Sequence, residues 1–153
     1  DLESELVLVI GRKAHRIAAE QAWDYVAGWT LGNDVSNRDL QKRDKQWTRA
    51  KGFDGAGPCG PWIRLNPPGF APDMDAISIV GEHNGREVQR GRARDMIFSV
   101  PELLAYLSAT LTLHPGDLIY TGTPEGVTPL VPGSRVTIRS EGLELGELST
   151  TFI

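Results

Sequence analysis

The sequence predicts a β-rich α+β domain. Seventeen glycines and ten prolines punctuate 153 residues. That density of turn formers favours many short elements over a few long helices. The apolar runs are short and often β-branched or alternating, which is the pattern of strands. They are not regularly interleaved with helical segments, so a doubly wound parallel sheet is disfavoured. The length fits a single domain, and no internal repeat or low-complexity segment is visible.

The elements follow in order. Leu6-Val7-Leu8-Val9-Ile10, closed by Gly11, reads as a buried strand. Apolar residues at 17, 18, 22, 23 and 26 recur at helical spacing, which predicts a helix over Ile17–Val26 with Gly28 beyond its end. Trp29–Leu31 is a second strand, running into Gly32-Asn33-Asp34. Ser36 with Asp39 resembles a capping pair that opens a short helical turn. Asp44–Gly60 holds four glycines and many charges and reads as a long loop. Loops beyond about 12–15 residues are uncommon unless functional or disordered. Pro61–Leu65 is a short strand, and Ala76–Glu82 with Arg86–Arg90 flank Asn84-Gly85, a two-residue hairpin signal. Ser99-Val100-Pro101-Glu102 is a capping box with proline in the first turn. It opens the best helix of the chain, with an apolar face of Val100, Leu103, Leu104, Leu107 and Leu111 stopped by Pro115-Gly116. His114 reads as a helix-end residue favoured by the dipole. Leu118–Tyr120 is a strand leading into Thr121-Gly122-Thr123-Pro124. Val136/Ile138 and Leu143/Leu145 alternate across Glu141-Gly142, predicting a closing hairpin.

Composition excludes several function classes. The net charge is −4 and no Lys/Arg cluster stands out, so nucleic acid is not an expected partner. No apolar run approaches the ~18–20 residues that span a bilayer, and no leader pattern opens the chain, so a cytoplasmic protein is expected. A single cysteine, Cys59, excludes an intrachain disulfide. No spaced histidine accompanies it, so it reads as structural rather than nucleophilic. His15, His83 and His114 are too scattered for a zinc site.

The residues that can carry chemistry begin with Glu3 and Glu5. Two apart on a strand, they share a face. Like charges side by side at the edge of an apolar core need a cation or a shared proton. A hard divalent cation with oxygen ligands meets that need. The plain alternative is a frayed, solvated terminus. Asp34, in its tight turn, is the candidate third ligand, or else a turn aspartate bonded to its own backbone. Arg38, Asp39 and Gln41 follow on the short helical segment. Arg38 can fork onto a carboxylate, and the alternative is a charged helix surface. Lys51 lies with Trp47 in the long loop, where a cation could stabilise developing negative charge or simply be solvated. Thr121 to Gly126 offers hydroxyls and backbone N–H groups at a strand end, a place for an anionic oxygen or a plain turn. It lacks the Gly-Lys-Ser/Thr ending of a phosphate loop.

Taken together these segments resemble the fumarylacetoacetate hydrolase superfamily. The matches are Glu3-Ser4-Glu5-Leu6, Asn33 to Gln41, Gln46 to Asp54, Gly60-Pro61-Trp62, Met96-Ile97-Phe98, Pro115 to Ile119 and Thr121 to Val127. Order and spacing hold from residue 3 to the last strand. The resemblance implies a mixed β-roll with one main amphipathic helix and a few short ones, generally dimeric. It implies that Glu3, Glu5 and Asp34 hold Mg²⁺, Mn²⁺ or Ca²⁺. Lys51 would act on the substrate's enolate or keto oxygen, Arg38 and Gln41 would contact substrate, and Thr123 with the Gly122 backbone would take its carboxylate. The implied substrates are small 2-oxo or 2,4-dioxo acids. The implied chemistry is C–C hydrolysis, decarboxylation or enol–keto isomerisation, nearest to the acylpyruvases, oxaloacetate decarboxylases and 2-hydroxyhepta-2,4-diene-1,7-dioate isomerases. The family's upstream strands and His/Glu pair find no match, so residues 1–153 are expected to be a catalytic domain without its N-terminal strands or lid segment. The alternative reading is a non-catalytic metal- or oxo-acid-binding domain, or the structural half of a duplicated enzyme. Lys51 beside all three carboxylates favours the enzyme.

Overall fold

The computed structural model describes all 153 residues as two four-stranded antiparallel sheets with short helical segments between strands. The strands are β1 (Ser4–Ile10), β2 (Val26–Asn33), β3 (Cys59–Leu65), β4 (Ser78–His83), β5 (Arg86–Arg92), β6 (Leu118–Tyr120), β7 (Arg135–Glu141) and β8 (Glu147–Thr151). The α-helices are α1 (Arg38–Asp44), α2 (Thr48–Lys51) and α3 (Val100–Thr110). One sheet runs β3-β2-β1-β6 and the other β5-β4-β7-β8. The expected β-rich α+β class is what forms. No helix is long and apolar enough to cross a membrane.

One apolar core lies between the sheets. Leu6 and Leu8 of β1 with Trp29 and Leu31 of β2 meet Ile79 of β4, Val136 and Ile138 of β7 and Leu148 of β8. Val100 and Leu104 of α3 close it from the side. Both faces of β1 are buried along its whole length. Alternation sends Leu6, Leu8 and Ile10 into this core and turns Glu3 and Glu5 to the opposite face.

Several expected elements change. The segment predicted as a helix over Ile17–Val26 is a 3-10 stretch, Ala19–Tyr25, and Gly28 is not its stop. Ala18 offers no side-chain cap, only Ala22 within the stretch is buried, and Val26 already belongs to β2. Gly28 pairs with Val9 and Leu65 in the sheet, where a Cβ would sit 2.4 Å from the Arg64 carbonyl oxygen. The cap of α1 is Asn37, whose side chain accepts from the Leu40 N–H, and not Ser36, whose hydroxyl donates to the Asp34 carbonyl. The long loop contains α2, one turn whose Ala50 is fully buried. A turn that short carries no readable periodicity. The closing hairpin forms between β7 and β8. Its return strand starts at Glu147, because Leu143 and Leu145 enter the core from the connection. Leu111 caps α3 and is exposed instead of continuing its apolar face. His114 lies beyond the helix, its N–H donating to Asp117 Oδ2 at 2.7 Å, so no dipole argument applies. Cys59 is exposed at the start of β3, outside the core that a structural cysteine would occupy.

Candidate metal centre

The three carboxylates converge. Oxygen atoms of Glu3, Glu5 and Asp34 lie within 4.8 Å of one another. Glu3 and Glu5 are buried and Asp34 is half-buried, which removes the solvated-terminus reading. Pairing of Ser4 with Asn33 brings the end of β2 beside the start of β1. The Asp34 N–H then donates to the Glu3 carbonyl at 2.9 Å, so the turn is pinned to the strand. The Asp34 carboxylate accepts from Lys51 rather than from its own backbone.

Two cations face the trio. Lys51, delivered by α2, donates to Asp34 and, at 2.8 Å, to Glu3. Its ammonium also lies 5.8 Å from the centre of the Trp47 ring, within cation–π range. Arg38, at the start of α1, reaches Glu3 with one nitrogen, Asp1 with Nε at 2.7 Å and Gln41 Oε1 with the third at 3.0 Å. Burial by itself would raise the Glu3 carboxyl, but hydrogen bonds from Lys51 and Arg38 bring it below the ordinary carboxylate range. Burial likewise opposes the Lys51 charge, and the partners Asp34 and Glu3 overcome it, leaving the ammonium above its usual value.

Glu5 has no such partner. Its only hydrogen bond is from the Gly122 N–H, at 2.6 Å. Burial pushes its carboxyl up to about 7, the neighbouring Asp34 and Glu3 charges push the same way, and the Gly122 N–H only partly offsets them. The donor follows from the turn at 121–124, where Gly122 adopts φ +103, a conformation costly for other residues.

The Thr121–Pro124 turn does not present itself as the resemblance implies. The Gly122 N–H is taken by Glu5, and the Thr123 hydroxyl donates to the Ser4 carbonyl at 3.1 Å while accepting from Gln89 at 2.8 Å. What Thr123 keeps for a ligand is its backbone N–H, which has no acceptor within the protein. The turn also borders a cavity of about 290 Å³ lined by Leu6, Ile79, Ala93, Met96, Phe98 and Leu103. Two neighbours escaped the sequence reading. Tyr120 packs over Gly32, and burial, with Cys59, Asp34 and Glu5 nearby, pushes its phenol up to about 12. Gln89 comes from the other sheet. Neither carries a local signal, because each reaches the site through strand pairing distant in sequence.

The chain belongs to a known family of this two-sheet fold. Residues 1–153 match the fumarylacetoacetate (FAA) hydrolase C-terminal family. The fumarylacetoacetate hydrolase domain-containing protein 2 homolog of Dictyostelium discoideum is 42% identical over 162 residues, covering 97% of this chain and 53% of that protein. Among solved structures, the 2-hydroxyhepta-2,4-diene-1,7-dioate isomerase of Mycobacterium marinum superposes with a TM-score of 0.91 at 44% identity, over 99% of this chain and 57% of that one. The maleylpyruvate hydrolase of Sphingobium sp. SYK-6 gives 0.86 at 32% identity, over 99% and 53%. The chain thus spans about half the length of these relatives.

Proposed function

We propose that this chain forms the metal-binding catalytic part of an enzyme acting on a small 2-oxo or 2,4-dioxo acid, by C–C hydrolysis, decarboxylation or enol–keto isomerisation. The observation that carries the reading is the under-partnered Glu5 carboxyl, buried among two other carboxylates. Lys51 and Arg38 serve Glu3 and Asp34, and a buried third carboxylate is left with one N–H donor. Three clustered carboxylate oxygens are a donor set suited to Mg²⁺, with Mn²⁺ and Ca²⁺ as alternatives. Held there by Glu3, Glu5 and Asp34, such an ion would supply Lewis-acid polarisation of the oxo oxygen of a chelating oxo acid.

The chain's own residues supply the rest. Lys51 would place its ammonium beside the oxygen on which negative charge grows, favouring the transition state over the ground state. Arg38 and Gln41, already bonded to each other, would orient the acid from the α1 side. The free Thr123 N–H would receive the substrate carboxylate, with Gly122 shaping the turn. Large apolar side chains left exposed, Trp62 and Leu65 on β3 and Ile97 and Phe98 before α3, support a homodimer.

The test is an activity screen of the full-length protein against acylpyruvates, oxaloacetate and 2-hydroxyhepta-2,4-diene-1,7-dioate, with Mg²⁺ or with excess chelator. Turnover of one of these that chelator abolishes and Mg²⁺ restores is the expected result. Full activity under chelation would contradict the proposal.

A further inference from the structure

We propose that Gln89 is a positioning residue for the carboxylate centre, locking the strand that carries Glu3 and Glu5 to the turn that carries Gly122 and Thr123. This rests on the metal-dependent reading above.

The geometry is a closed ring. The Ser4 N–H donates to Gln89 Oε1 at 2.9 Å. Gln89 Nε2 donates to Thr123 Oγ1 at 2.8 Å and to the Pro124 carbonyl at 2.9 Å. The Thr123 hydroxyl closes the ring by donating to the Ser4 carbonyl at 3.1 Å. Ser4 is the residue between the two glutamates, so both polar groups of its backbone are fixed by one amide and one hydroxyl. The same turn then sends the Gly122 N–H to Glu5.

The amide comes from β5, in the sheet opposite β1, and it is 1% exposed. A buried polar side chain is costly unless satisfied, and this one has its acceptor and both its donors engaged. The sheets are shaped to admit it. A Cβ on Gly81 of β4 would stand 2.1 Å from Ser4 Oγ and 3.3 Å from Gln89 Oε1. Glycine there lets the strands close on the ring. An apolar residue could fill the same volume, but it could not hold a strand and a turn in one register. Groups standing behind metal ligands typically change metal affinity about 10–100-fold when removed.

The test compares Gln89→Leu with Leu148→Ala, a core truncation on β8 away from the ring, in the full-length protein. Both variants are studied well below their melting temperatures. Amide hydrogen exchange, without metal, should show Gln89→Leu loosening residues 3–5 and 121–124 together, with no such paired change in Leu148→Ala. Calorimetry with Mg²⁺ should show Gln89→Leu binding about 10–100-fold more weakly, and Leu148→Ala binding as wild type does. Loss confined to melting temperature, with exchange at both segments and Mg²⁺ affinity unchanged, would make Gln89 a core residue and overturn the proposal. Equal losses in the two variants would also overturn it. If wild-type protein binds no Mg²⁺, the functional reading fails, and the paired exchange pattern still decides whether Gln89 couples strand to turn.

Discussion

Glu5 on β1 and Glu3 just before it are the same residue type on the same side of the chain, yet their surroundings oppose each other. Glu3 is held ionised by Lys51 and Arg38, whereas Glu5 is buried against two like charges. The shared face was legible from alternation alone. That the face is buried was not, because it depends on Asp34 and Lys51 arriving from distant positions. Asp34 in its turn and Lys51 in its loop each stand out as candidates, the ordered family motifs join them to one site, and nothing local points to Gln89. Lys51 is the residue whose role is sharpest. Lys51→Ala should lower kcat by about 10²–10³, the usual effect of removing a preorganised donor to developing charge, with KM changed far less. Steady-state kinetics on the full-length enzyme measure this, and near-wild-type kcat would refute the role. Lys51→Arg should rescue poorly, since a planar guanidinium does not replace a compact ammonium.

At the scale of elements, α3 shows how much a local signal can fix. Its capping box forms as written, with the Ser99 side chain accepting from the Glu102 N–H and Glu102 accepting from the Ser99 N–H. Ser99→Ala should destabilise the protein by about 1 kcal/mol, visible as a lower urea midpoint with an unchanged slope. The Asn84-Gly85 hairpin is equally local, with both residues at positive φ. The 3-10 stretch before β2 mimics a helix in its apolar spacing, but Val26, where the expected helix ends, already belongs to the sheet. There tertiary pairing overrides a weak propensity. The α2 turn was hidden by its length, although it is what aims Lys51. Trp29, fully buried at the centre of β2, marks where the two sheets depend on each other. Trp29→Ala should cost about 3–5 kcal/mol, read by the same denaturant titration.

For the whole molecule, the two sheets divide the work. Their facing sides make the core, and the other face of β1, also buried, carries charge only at its start, with Val7 and Val9 beyond. The fold class was readable from turn density and short strands, but which strands meet was not. The exposed apolar groups on β3 and before α3 belong to this scale. Light scattering at micromolar concentration should give about twice the monomer mass, since exposed apolar surface of this kind marks interaction sites, and a clean monomer would count against the dimer. The central claim is that Glu3, Glu5 and Asp34 form one cation site, and calorimetric titration of Mg²⁺ into the metal-free full-length protein tests it most directly. One ion should bind per chain, Asp34→Ala should remove the binding, and Lys51→Ala should keep it, because an ammonium is not a ligand. Undiminished binding in Asp34→Ala would contradict the assignment.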